Sequence, residues 1–220
     1  MSIDRSALQQ LDERQIERYS ERLRLYGSNP KTLGWDSAFS QKTRFEVACK
    51  SAEFGNRSVL DVGCGLADFC GFLLGQKQQA IDLYTGIDIN PDLIEACRLR
   101  FPEMRFEAGN ILYDILDGEQ WDIVTMFGLL NLRFIEFQNI DYAKEIIQKA
   151  FSLTRETLIV DMLTEVADAT YPQEDFVYYY QPDEMLRFAL SLTPHVSIKH
   201  DYPSIPQREC MLIMRKRPCV

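Results

Sequence analysis

Two glycines and the acids around them stand where a molecule could lie against bare backbone. In Val59-Leu60-Asp61-Val62-Gly63-Cys64-Gly65-Leu66-Ala67-Asp68-Phe69 an apolar, β-branched run breaks into glycines, and apolar residues resume at helical spacing with Phe69, Phe72 and Leu73. This reads as a strand, a tight turn and a helix. Gly63 and Gly65 lack a Cβ, so they can take positive φ and leave a ligand the space that a side chain would fill. A second apolar run, Tyr84-Thr85-Gly86-Ile87, ends in Asp88, 23 residues past Gly65, about one helix and one strand later. An acid at the carboxyl end of a second parallel strand can accept both hydroxyls of a ribose.

A dinucleotide fold would want glycine or alanine where this chain has Asp68. A carboxylate beside a helix N-terminus opposes a pyrophosphate, and Asp61 adds a second negative charge before the glycines. Both acids suit a ligand with an adenosine, no phosphate and a positive charge, a description that fits S-adenosylmethionine. Here the sequence resembles the class I S-adenosylmethionine-dependent methyltransferases, whose first motif is acid-x-Gly-x-Gly-x-Gly. Ala67 stands in the place of the third glycine.

The elements that must position these residues follow from periodicity. Leu8, Leu11, Ile16, Tyr19, Leu23 and Tyr26 share a stripe of a charged helix from Ser6 to Tyr26, stopped by Gly27. After a loop with Asn29-Pro30 and Gly34, Ser37 caps a second helix running through Phe45 to Phe54. Strands then alternate with helices: Ser58 to Val62, Leu83 to Asp88, Met104 to Ala108, Trp121 to Phe127 and Thr157 to Met162. Asn90-Pro91 opens one of the helices. Alternation of this kind predicts a parallel sheet covered on both faces. Beyond Pro182 come a helix and two last strands, His195 to His200 and Cys210 to Met214. The resemblance implies a doubly wound, seven-stranded α/β sheet whose last strand is antiparallel. The expected organisation is a single methyltransferase domain over 1–220, with a helical cap at 1–56 and the α/β core at 57–220.

Ligands of open α/β sheets bind beyond the carboxyl ends of the strands, so those ends supply the other candidates. Glu107-Ala108-Gly109-Asn110-Ile111 resembles the family's adenine-contacting turn, where an Asp commonly takes the base's amino group; Asn110 keeps an oxygen acceptor without the charge. Phe127-Gly128-Leu129-Leu130-Asn131 corresponds to the segment that faces the transferred methyl, and lacks the Pro-Pro-aromatic device of several nitrogen-methylating members. Arg44 is a candidate for the methionine carboxylate, which favours a bidentate cation. The expected cofactor set is therefore Arg44, Asp61, Gly63, Cys64, Gly65, Asp88, Ile89, Asn110, Ile111 and Phe127. Leu130, Tyr171 and Tyr178 are expected at the substrate, Asn131 as an orienting group and His200 as a general base for an acceptor that needs one.

Composition narrows the function further. A net charge of −9 argues against a surface that tracks nucleic-acid phosphates, and the basic run Arg215-Lys216-Arg217 reads as a solvated tail. The six cysteines form no Cys-x-x-Cys pair and no zinc-site spacing, so a metal is not expected. No run reaches the roughly 18 apolar residues of a membrane span, and the charged N-terminus lacks a secretory core, which points to the cytoplasm. The resulting expectation is a methyltransferase for a small-molecule acceptor. An aminopropyl transferase, or a non-catalytic cofactor- or partner-binding member of the fold, is the alternative; a nicotinamide oxidoreductase is disfavoured by Asp68. Neither the acceptor atom nor the oligomeric state follows from these residues.

Overall fold

The computed structural model describes residues 3–35, 37–76, 83–113, 116–166, 173–203 and 208–218. Helix α1 (Arg5–Tyr26) starts where the Asp4 side chain accepts from the Ser6 N–H and ends at Gly27, whose positive φ reverses the chain. A single 3₁₀ turn, Pro30–Leu33, leads to α2 (Ala38–Cys49), capped by Ser37. The second helix stops before the expected Phe54. Past Cys49 the chain turns, and the buried Phe54 ring meets Phe69 edge-on at 5.4 Å.

Five parallel strands follow in alternation with helices: β1 (Ser58–Val62), α3 (Asp68–Leu74), β2 (Leu83–Asp88), α4 (Pro91–Arg100), β3 (Arg105–Ala108), β4 (Trp121–Met126), α5 (Asn139–Ser152) and β5 (Thr154–Leu163). The chain finishes with α6 (Pro182–Leu192), β6 (His195–Lys199) and β7 (Glu209–Arg215). The order across the sheet is β3-β2-β1-β4-β5-β7-β6, and β7 runs antiparallel to both of its neighbours. This is the seven-stranded class I methyltransferase architecture. Strand order reverses beside β1, which places the β1, β2 and β4 termini at the crevice where such sheets bind ligands.

Alternation along the strands divides the interior in two. Leu60 and Val62 of β1, with Val124, Met126, Leu158 and Val160, pack under α5 and α6. Val59, Ile123 and Ile159 face the other way, toward Phe45 of α2 and Phe69 and Leu73 of α3. Each of these large side chains is nearly or fully buried and contributes about 1.5–3 kcal/mol. Between β1 and α3 the chain needs three left-handed residues, Gly63 (φ +73°), Gly65 (φ +56°) and Ala67 (φ +55°). The third glycine of the motif therefore answers a backbone demand, which Ala67 meets under strain.

Candidate functional site

A cavity of about 350 Å³ opens at the carboxyl ends of β1, β2 and β4, and α1, the 3₁₀ turn and the start of α2 close over it. Its floor is the glycine turn. The Gly63 and Cys64 N–H groups both donate to the Ile87 carbonyl, at 2.8 and 3.0 Å, which ties the turn to β2. A Cβ on Gly63 would come within 2.9 Å of Leu129 Cδ1, and one on Gly65 within 2.6 Å of Leu33 Cδ1. Side chains at either place would fill the cradle.

Asp88 and Ile89 line the cavity next to that turn. Asp88 Oδ2 accepts the Gly65 N–H at 3.0 Å and Oδ1 accepts the Asn90 N–H at 2.9 Å, so its carboxylate is oriented by backbone on both sides. Burial raises its pKa, and the two N–H donors work against the rise. Phe127 also lines the cavity, its ring held edge-on by Phe69 at 4.9 Å and by Phe45 at 5.4 Å. Asn131 reaches the same wall, with its Oδ1 buried and without a hydrogen-bond partner.

Other expected residues lie elsewhere. Asp61 is 3% exposed and turns into the sheet, where the Tyr84 hydroxyl donates to it at 2.6 Å and the Thr125 hydroxyl at 2.9 Å. Burial pushes its pKa up to about 6. Cys64 packs its sulfur beneath Gly86 in the core between the sheet and α3, where a hydrogen bond with the Cys97 thiol, and then burial, raise its pKa. Ile111 and Leu130 are core residues on the α5 face, and Leu130 meets Tyr180 through its carbonyl, which accepts the Tyr180 hydroxyl. Asn110 is buried below the cavity wall: its amide donates to both oxygens of Asp12, at 3.0 and 3.2 Å, and its oxygen accepts the Leu112 N–H. Tyr178 stacks edge-on with Tyr180 at 4.7 Å beneath Arg133, and Tyr171 falls outside the described residues. Asp68 faces away from the cavity, accepting from Gln41 and pairing with Arg100.

Arg44 does line the cavity, but its charge is already met. Its Nε lies 3.0 Å from Asp161 Oδ2, Nη2 pairs with Glu209, and Nη1 donates to the Ser40 carbonyl at 2.8 Å. The guanidinium also lies over the Trp35 ring, 4.5 Å from its centroid. Because Asp161 Oδ1 accepts the Gly128 N–H at 2.6 Å, this buried cluster holds the β4 turn from below.

His200 sits past the end of β6, at the far edge of the sheet, and is absent from the cavity wall. Its Nε2 is 3.2 Å from the Thr164 hydroxyl, and its carbonyl accepts from Arg208. Burial and Arg208 lower its pKa. His200→Ala is therefore expected to keep methyl transfer within a factor of about two in a turnover assay; the hundred-fold loss typical of a missing general base would return the ring to the site.

Residues that were not singled out individually from the sequence complete the wall. From α1 come Leu11, Asp12, Gln15, Arg18 and Tyr19; beyond β4 come Leu129, Leu132 and Phe134; and from the segment before α6 come Glu174, Phe176 and Val177. The available signal was Asp12 and Gln15, polar residues at helical spacing from the buried Leu8 and Leu11.

The wall thus combines a glycine cradle, a backbone-oriented carboxylate and an apolar extension. Residues 59–156 match a family described as a methyltransferase domain. Rv1506c of Mycobacterium tuberculosis, itself provisionally described as a methyltransferase, is 26% identical over 148 residues, which span 66% of this chain and 86% of that protein. Magnesium protoporphyrin IX methyltransferase of Synechocystis PCC 6803, solved with bound S-adenosylmethionine, superposes at a TM-score of 0.66 with 16% identity, over 98% of this chain and 99% of that one. The small RNA methyltransferase HEN1 superposes at 0.62 with 19% identity, over 82% of this chain and 26% of its own.

Proposed function

We propose that this chain, whose residues 59–156 match a methyltransferase domain and whose fold is that of the class I S-adenosylmethionine-dependent methyltransferases, methylates an apolar small molecule entering past Leu129, Leu132 and Phe176. The cavity's residues fit the cofactor. Gly63 and Gly65 leave room for the methionine portion against backbone, Asp88 takes the ribose hydroxyls, and Ile89 and Leu93 offer apolar contact to the base. Among the cations of the wall, Arg44 is engaged by Asp161 and Glu209, and Arg22 donates to the Thr32 and Lys31 carbonyls. Arg18, which makes no ion pair among the described residues, is left for the methionine carboxylate.

One observation carries the acceptor class: beyond Phe127 the wall is almost wholly aliphatic and aromatic. Trp35, Leu129, Leu132, Phe134, Phe176 and Val177 form most of it, with Asn131 and Glu174 as its polar members, and Phe176 is 56% exposed. Among the described residues no lysine lines the cavity, and Arg133 beside this stretch is engaged by the Asp175 and Val177 carbonyls; the chain's charge of −9 opposes a polyanion.

When bound, the cofactor's sulfonium supplies a methyl group ready for displacement with a neutral thioether as leaving group. The side chains then have to exclude water and hold the acceptor's nucleophile in line, a contribution that can reach several kcal/mol. No histidine, lysine or cysteine is found among the described residues of the cavity wall. A proton lost by the acceptor's nucleophile would therefore have to go to a carboxylate of the wall, of which Glu174 is the one beside Phe176 and Val177. The test is incubation of the protein with methyl-labelled cofactor and cell extract, fractionated into organic-soluble metabolites, RNA and protein. Label is expected in the organic-soluble fraction. Label confined to RNA or protein would overturn the proposal.

A further inference from the structure

We propose that this enzyme reads the adenine of its cofactor with the N-terminal helix, through Asp12 and Gln15, and that Asn110 serves to position Asp12. The inference rests on the cofactor reading and is independent of the acceptor.

The turn after β3 is where the family resemblance placed the acceptor for the adenine amino group, and here that residue is Asn110. Its amide is turned to other partners and does not reach the cavity. Both donor contacts run to Asp12, its oxygen is taken by the Leu112 N–H, and the side chain lies behind the cavity wall. The oxygen's bond to an N–H also fixes which way the amide points. The carboxylate that does line the cavity close to this turn is Asp12. An ionised carboxylate offers about four acceptor positions, of which Asn110 uses two and the neighbouring Tyr113 hydroxyl a third. The remainder can meet an exocyclic amino group.

Gln15 supplies an independent indication. It lies one helical turn beyond Asp12, lines the cavity, and is 9% exposed, yet its Oε1 has no hydrogen-bond partner. A buried amide oxygen left unpaired costs about 1–3 kcal/mol, so its retention points to a ligand donor. A carboxamide is also a good partner for adenine, since it can accept from the amino group and donate to a ring nitrogen. Leu11, Ile89 and Leu93 provide the apolar surroundings in which such bonds discriminate.

The placement along α1 agrees with the rest of the cofactor. Arg18 lies six residues past Asp12, about 9 Å farther along the helix axis. One face of a single helix can therefore meet the base at one end and the methionine carboxylate at the other. Other bonds keep this face in register: the Asn90 amide donates to the Ile16 carbonyl at 2.9 Å, and the Ser20 hydroxyl donates to Asp92 at 2.6 Å.

The experiment compares S-adenosylhomocysteine with S-inosylhomocysteine, in which a 6-oxo group replaces the 6-amino group, by calorimetry on the wild type, Asp12→Asn and Gln15→Leu. The wild type is expected to prefer the adenosyl ligand about 10–100-fold, as for a hydrogen bond to a charged acceptor. Asp12→Asn keeps the size of the side chain but presents an amide that can donate to a 6-oxo group. It should weaken the adenosyl ligand, spare or improve the inosyl one, and bring the ratio to within about three-fold. Gln15→Leu should narrow the ratio in the same direction. Equal weakening of both ligands by Asp12→Asn would reduce Asp12 to a structural tie, and an unchanged ratio in both variants would overturn the proposal. If the wild type binds neither ligand, the cofactor premise fails and the proposal with it. Amide exchange gives a second readout: S-adenosylhomocysteine should protect α1 in the wild type more than S-inosylhomocysteine does, and equal protection would count against base reading by this helix.

Discussion

Asp88→Ala is expected to weaken S-adenosylmethionine and S-adenosylhomocysteine a hundred-fold or more, about 3 kcal/mol. Two losses combine in this one change. Hydrogen bonds from ribose to a charged, partly buried acceptor contribute about 1.5–3 kcal/mol each way they are counted. The same carboxylate also accepts the Gly65 and Asn90 N–H groups, so its removal frees the glycine turn and the first turn of α4. A purely structural role would lower the melting temperature and weaken all ligands alike. A role at the ribose predicts that the variant loses the distinction between S-adenosylhomocysteine and its 2′-deoxy analogue. Calorimetry of the two ligands on both proteins is the check, and an affinity within three-fold of wild type would contradict the assignment.

Asp88 was legible because everything that places it is local. A parallel strand ends there, a helix begins with Asn90-Pro91, and the interval from Gly65 is one helix and one strand. The sheet was legible for the same reason, down to the antiparallel β7 implied by the resemblance. Side-chain direction was harder to read. Asp61 and Cys64 sit in the correct segment, but the alternation that sends Leu60 and Val62 toward α5 turns Asp61 toward Tyr84, and Cys64 is packed under Gly86. Leu130 follows the β4 turn by only a few residues and drops into the core, while its neighbours Leu129 and Asn131 line the cavity. No local rule separates these three.

The contribution of α1 depends on tertiary contact. Periodicity marked an amphipathic helix and its stop at Gly27, but which face meets the sheet's crevice is decided by Asn90, Asp92 and Asn110, residues seventy to nearly a hundred positions away. A stripe of Leu8, Leu11, Asp12 and Gln15 places two polar groups on the buried side. Such groups are tolerated there only with partners. Asn110 is one such partner for Asp12, and the unmet oxygen of Gln15 is what remains for a ligand.

Arg44→Met should lower the stability of the fold by about 3–5 kcal/mol, because it leaves Asp161 and Glu209 buried without their cation. For a chain of this length that corresponds to about 6–20 °C in melting temperature. The deficit should also depend on pH. Burial raises the Asp161 pKa and pushes Glu209 up to about 8, even with Arg44 beside them. An acid whose folded pKa exceeds its unfolded value, about 4.3 for Glu, binds more protons when folded. Its stabilising contribution is full below that unfolded value and is lost as pH rises toward 8. Removing Arg44 raises both folded pKa values further, so the gap between wild type and variant should widen from pH 5.5 to pH 8, and Asp161→Asn in the same chain should close part of it. A pH-independent gap, or one under about 1 kcal/mol, would contradict the cluster's role. Ligand binding separates this reading from a carboxylate contact. If Arg44 supports the Gly128 turn through Asp161, Arg44→Met weakens S-adenosylmethionine and methylthioadenosine equally; a selective loss of S-adenosylmethionine would instead place the guanidinium on the methionine carboxylate.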